Sequence, residues 1–219
     1  MYIPKHFEET DTAVLHALLR ANPLGAWVTL CDGELLANHI PFLIDPSRGP
    51  HGTLVAHVAR ANPVWRSFSK DVASVVIFQG AQTYITPSWY PGKATDGKVV
   101  PTWNYAVVHA RGRPRAIEDR DWLLQHVSTQ TEVREAGRAG SSTIKPWKVS
   151  DAPADYIDSM LRAIVGIEIP IDTLVGKWKV SQNRTAPDRQ GVIQGLLEGG
   201  DEPSAAMAAL VKGHLPPEG

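Results

Sequence analysis

Residues 52–65 read GTLVAHVARANPVW, a run shaped like a buried strand that ends in histidine, arginine and asparagine. Thr53 to Val58 is rich in β-branched and apolar residues, which suits a half-buried strand. Arg60, Asn62 and Pro63 follow within four positions, ahead of a predicted helix from Val64 to Lys70. Asn is a favoured helix N-cap and Pro a favoured first helical residue. A strand running straight into a capped helix presents free backbone N–H groups at the junction. Together with the helix dipole and Arg60 they make a site for an anion. A plain strand-to-helix turn with a solvated arginine accounts for the same residues.

The flanking sequence decides what kind of sheet receives this strand. Upstream, Thr10 or Asp11 caps a helix over Thr12 to Ala21, and Asn22-Pro23 stops it. Gly25 to Leu30 reads as a strand, and the Asp-Gly of CDGE (31–34) signals a hairpin. The return strand, Leu35 to Ile44, is apolar on both faces apart from Asn38 and His39, which points to a closed barrel or a dimer interface. Downstream, ASVVIF (73–78) and GAQTYIT (80–86) read as two strands separated near Gly80, followed by a long Pro- and Gly-rich loop over 87–100. A strand over Val100 to Ala110, the turn RGRPRAIED and a helix from about Arg120 to Ala136 come next, then a flexible break at AGRAGSST (136–143). Asp155 to Ile164 is helical, VGIEIPID and VGKWKVS are closing strands, and Gln190 to Glu198 and Ser204 to Lys212 are terminal helices. Seven or eight short strands with few helices favour a mainly β, α+β architecture, an antiparallel barrel with helical decoration, over a doubly wound sheet. The expected organisation is a barrel domain over 1–185 and a helical extension, 186–219, packed on it.

Composition narrows the function classes. The chain has 219 residues and a formal net charge of -1, so no global basic field draws it to nucleic acid. Its apolar runs are too short to span a bilayer, and the first residues lack the apolar stretch of a signal peptide, so the expected location is cytoplasmic. Cys31 is the single cysteine and reads as structural. Four of the seven tryptophans, Trp27, Trp65, Trp89 and Trp103, sit among the strands of the first half, where they serve as core or as the wall of a pocket for a flat ligand.

Dinucleotide, P-loop and nucleophile-elbow signatures are missing, and the eight histidines show no metal-ligand spacing. His39 and His57 fall on neighbouring strands, either facing one pocket or buried separately. RGRPR, Arg111 to Arg115, is the densest basic run and the one argument for contact with DNA; a solvated loop explains it as well. In GKWKVSQNR (176–184) strand alternation puts Lys177, Lys179 and Ser181 on one face and Trp178 and Val180 on the other. That face, with the amides of Gln182 and Asn183, is either an exposed strand face or a donor set for a polar or anionic ligand.

Seven ordered segments, MYIPKHF, NPLGAWVT, ANHIPFLID, LVAHVARANPVW, YITPSWYPGK, VPTWNYAVVHARG and VGKWKVSQNR, together resemble the PaiB family of FMN-binding negative transcriptional regulators over nearly the whole chain. The resemblance implies an FMN-binding split barrel related to the pyridoxamine-phosphate oxidases, assembled as a homodimer with FMN at the subunit interface. It implies that His57, Val58, Arg60 and Asn62 hold the flavin phosphate and ribityl chain, and that Asn38, His39 and Ile40 lie along the ring. The oxidases carry several cationic and hydroxyl residues in the phosphate turn, whereas here Ala59 and Ala61 flank a single arginine. Lys93, Lys177 or Lys179 would then supply the missing charge, with Ser181 and Gln182 as polar contacts. Three functions fit the resemblance: an FMN-dependent oxidoreductase acting on a small molecule, a regulator acting through DNA or a protein partner, and a haem-binding split barrel.

Overall fold

The structure is a computed structural model and describes residues 1–137 and 145–214, so most of the expected break at AGRAGSST lies outside the described residues. The chain divides into two compact units, each discontinuous in sequence. One comprises Pro23–Ile77 and Ala110–Leu174; the other comprises Met1–Asn22, Phe78–His109 and the chain from Val175 on.

The unit beginning at Pro23 contains two sheets. β2 (Leu24–Cys31) and β3 (Glu34–Pro41) form the expected hairpin. Asp32 and Gly33 both have positive φ, 49° and 90°, the backbone that a two-residue type I′ turn requires and that Gly adopts without strain. This short turn fixes the register, Trp27 opposite Asn38 and Leu30 opposite Leu35. On its other edge β2 pairs with the first residues of β6 (Ser74–Ile85), Trp27 with Val76. The second sheet has the order β4 (Leu43–Asp45), β5 (Thr53–Ala59), β9 (Ile164–Pro170), β8 (Arg115–Ile117), all antiparallel. Leu54, Ala56 and Val58 of β5 and Val165, Ile167 and Ile169 of β9 are buried on one face. The alternate face receives α4 (Arg120–Ala136), whose Trp122 ring occupies the space a Cβ at Gly166 would fill. α5 (Ala154–Arg162) lies beside α4 and β9.

Two expectations change in this unit. The run Leu35 to Ile44 is two strands in different sheets, because Pro41 has no N–H for the ladder and Phe42 turns away to donate to the Pro23 carbonyl at 2.8 Å. The helix after β5 is a single turn, α2 (Val64–Ser67), closed by Phe68 N–H on Val64 O at 3.0 Å before Phe68 extends. One turn of four residues does not carry the dipole that a helix-terminus anion site needs.

The other unit holds α1 (Thr12–Ala21), capped as expected by the Asp11 side chain, and the strand order β1 (Glu8–Glu9), β10 (Thr173–Lys179), β7 (Thr102–Gly112), β6. β6 is one strand rather than two. It runs through Gly80, where Leu18 of α1 approaches so closely that a Cβ would stand 3.1 Å from its Cδ1. After Trp89 the long loop forms a short helix, α3 (Lys93–Asp96), and the chain closes with α6 (Ala186–Gly199) and α7 (Glu202–Gly213). Among the described residues no helix is long and apolar enough to cross a membrane.

Candidate functional site

The hairpin and the turn after β5 bring part of the expected set together. Asn62 Nδ2 donates to Asn38 Oδ1 at 2.9 Å, and Asn62 Oδ1 accepts from Val64 N–H at 3.0 Å. Pro63 rather than Asn62 is the N-cap of α2, and Asn62, one residue earlier, ties Val64 N–H to β3 with the same amide. Asn38 Nδ2 is buried and has no hydrogen-bond partner among the described residues. Trp27, its cross-strand partner on the same face, is fully buried, and its indole Nε1 is likewise without a partner. Leaving such a donor buried and unpaired costs about 1–3 kcal/mol. The two orphaned donors thus belong to residues paired across the β2–β3 ladder. The register carrying Trp27 to Asn38 follows from the Asp-Gly turn, so this pairing is available in the sequence, where Trp27 reads as core or pocket wall.

Strand alternation separates the remaining hairpin residues. Ile40 shares the face of Asn38, whereas His39 points to the opposite, exposed face. His57 does not join His39: its Nδ1 lies 3.1 Å from Nε2 of His126 on α4. One of those ring nitrogens donates and the other accepts, so the contact holds a single N–H. The His126 ring stacks on Trp122, with centroids 5.3 Å apart and planes 17° apart. Trp122 Nε1 in turn donates to Glu168, whose carboxylate meets Arg48 at 2.6 Å. Burial pushes His57 below the ordinary histidine range, and burial followed by the charge of His57 lowers His126 to about 4. Arg48 holds the Glu168 carboxyl below its usual value. His126 was missed in the sequence; the Trp122–His126 spacing of four on a predicted helix was its one signal.

Val58 faces the core and offers a ligand only its backbone. Arg60 is a structural clamp: Nη1 meets Glu118 at 2.6 Å, Nε donates to Arg162 O at 2.8 Å, and Nη2 donates to Ile164 O at 3.1 Å. Its donors are engaged by the surrounding unit.

Lys93, Lys177, Lys179, Ser181 and Gln182 belong to the unit that includes α1, α6 and α7. The expected cationic strand face is not exposed there. Lys177 is buried, donates to Tyr2 O at 3.2 Å and lies over the Tyr2 and Tyr105 rings. Lys179 donates to Thr102 Oγ1 and to Trp103 O, and burial lowers its pKa. β10 ends at Lys179, so Ser181 leaves the alternation; at φ 67° it accepts from the buried Asn104 amide at 2.9 Å. Gln182 folds back onto Val180 N and Trp178 O. Lys93 is exposed on α3. Among the described residues no cluster of three or more His, Cys, Asp or Glu could hold a metal ion.

Residues 1–173 match the model of the family described as "Putative FMN-binding domain". The chain is 33% identical to an uncharacterized protein of Aspergillus fumigatus over 97% of both chains. It is 31% identical to the Bacillus subtilis protein named protease synthase and sporulation protein PAI 2 over 98% of both. Among solved structures, flavocytochrome Anf3 of Azotobacter vinelandii superposes with a TM-score of 0.57 at 13% identity, covering 85% of this chain and 74% of that one. The FAD and haem binding protein of Mycobacterium smegmatis gives 0.53 at 16%, covering 78% and 73%. At these identities the structural likeness carries the fold, which is the expected α+β, antiparallel split-barrel type.

Proposed function

Because the chain belongs to the FMN-binding family that matches residues 1–173, we propose that it is an FMN-carrying oxidoreductase for a small molecule, with the cofactor seated on β3 and the turn into α2. The observation that carries this reading is the pair of orphaned donors, Trp27 Nε1 and Asn38 Nδ2. A flavin is rich in carbonyl, ring-nitrogen and hydroxyl acceptors, and FMN when bound supplies the hydride or single-electron chemistry. This chain's own contribution is binding and orientation. Asn38 donates to the ligand, Asn62 fixes Asn38 by donating its Nδ2 to Asn38 Oδ1, and Ile40 offers an apolar contact on the same face. No side chain here presents itself as an acid or base, so the reading rests on the cofactor for chemistry.

The haem alternative gains nothing from His57, which is spent on His126. A second copy of the chain is part of the proposal: β3 ends its sheet with Leu35 and Leu36 exposed, an edge suited to cover by a partner. The test is an absorption spectrum of the purified protein before and after adding FMN and desalting. Retained flavin bands are expected, and Asn38→Leu is expected to weaken FMN and riboflavin alike by about tenfold. A wild-type protein that keeps no flavin would sink the proposal.

A further inference from the structure

RGRPR, left unused by the site above, does not stand alone in the fold. The turn entering β8 and the end of α2 enclose a groove of about 860 Å³ lined by Trp65, Arg66, Lys70, Arg113, Arg115 and Asp172, among others. Four cations thus face one carboxylate, in a chain whose net charge is -1.

The cations are poorly spent within the protein. Among the described residues neither Arg66 nor Lys70 has an ion-pair partner. Arg113 donates through Nε to Asp71 O at 3.3 Å and reaches Asp172 at 3.8 Å, with its side chain 60% exposed. Arg115 stands 3.7 Å from Glu168, but that carboxylate is already neutralised by Arg48 at 2.6 Å; Arg115 is 59% exposed and carries surplus charge. Arg66 is nonetheless held in place. Its guanidinium lies 4.3 Å from the Trp65 ring centroid, and the Trp65 indole is pinned by its N–H to Arg60 O at 3.0 Å. Arg60 therefore serves this groove from behind rather than entering it.

We infer that this groove binds the dianionic phosphate group of a small phosphate ester. Arginine forks match phosphate oxygens bidentately, and several of them around one opening suit two negative charges better than one. The volume admits a molecule of nucleotide size. The same chemistry has two sources, the phosphate of the bound FMN or that of a separate phosphorylated substrate. The inference stands without the flavin reading, since either source satisfies it.

The test is calorimetric titration of the full-length protein at low salt with inorganic pyrophosphate, FMN and riboflavin. It compares wild type, the Arg66→Gln/Arg115→Gln double variant and Arg20→Gln, an exposed charge on α1, as control. Pyrophosphate is expected to bind the wild type and the control and to lose at least tenfold in the double variant. If the wild type prefers FMN to riboflavin and the double variant erases that preference, the phosphate is the cofactor's. If both flavin affinities are unmoved while pyrophosphate binding falls, a separate ester occupies the groove. A protein that binds pyrophosphate but no flavin keeps the groove and loses the flavin reading. Equal pyrophosphate affinity in wild type and double variant, or none in either, overturns the inference. So does a groove that answers only to duplex DNA with a steep salt dependence.

Discussion

At the scale of single residues, the His57–His126 contact is where pH acts on this fold. Burial lowers both histidines in the folded state, His126 to about 4 from 6.5. Between those values the unfolded chain binds protons that the folded chain does not. Stability is therefore full above about pH 6.5 and falls as the pH drops toward 4, by on the order of 3 kcal/mol for His126. His126→Gln keeps a hydrogen-bonding group without titrating, so urea midpoints across pH 4.5 to 7.5 are expected to flatten in that variant. Parallel curves for variant and wild type would remove the pair from the pH response. Arg60 makes a second case. Bonded to Glu118 and two carbonyls, it is expected to cost about 1 kcal/mol of stability as Arg60→Ala while leaving riboflavin affinity unchanged. A tenfold loss of riboflavin in a still-folded Arg60→Ala would return it to the cofactor. The sequence marks Arg60 as a cation beside a turn, but its partners lie 58 to 104 positions away, beyond any local pattern.

Between elements, the long Pro- and Gly-rich loop is anchored on α6. Gly92 N–H donates to the buried Asp188 at 3.0 Å, and Trp89 seats against α6 at two glycines one turn apart. A Cβ at Gly191 would stand 2.0 Å from Trp89 O, and one at Gly195 would stand 2.3 Å from the Trp89 ring. Ala is the better helix former by about 1 kcal/mol, yet the Trp89 carbonyl is backbone and has nowhere to go. Gly191→Ala is therefore expected to destabilise by about 2 kcal/mol or more in urea unfolding, in spite of its propensity. A stabilised Gly191→Ala would mean that the loop is not docked on α6. Elements with local grammar were legible: α1 with its Asp11 cap, α4, and the Asp-Gly hairpin whose register sets Trp27 against Asn38. Those that failed did so where a distant partner decides. Phe42 changes sheets, β6 passes straight through Gly80, and Ser181 leaves the strand to meet Asn104.

For the molecule as a whole, chain order is a poor guide to its compact units. The first helix shares a unit with the last two, so the strand-rich and helix-rich parts of the sequence are not the parts that pack as bodies. The apolar reading of 35–44 nevertheless holds a signal at this scale. Strand register puts Leu24, Val28, Leu30, Leu35, Ala37 and Pro41 on the outward face of the β2–β3 hairpin, and Leu24 and Leu35 are 60% and 77% exposed. An apolar face of that kind on a terminal strand is a liability for a lone chain and an asset for a paired one. Covering a leucine recovers about 1.5–3 kcal/mol, and a two-fold interface counts each one twice. Leu24→Glu/Leu35→Glu is then expected to raise the dimer dissociation constant by 100-fold or more. Both side chains are exposed within one copy, so the variant should fold as the wild type does. Sedimentation velocity at tens of micromolar is expected to show a wild-type dimer and a monomeric variant, and flavin retention measured on the same samples tells whether the second copy contributes to the cofactor site. A wild-type monomer would remove the partner from the proposal, and a dimer indifferent to both glutamates would move the interface off this hairpin.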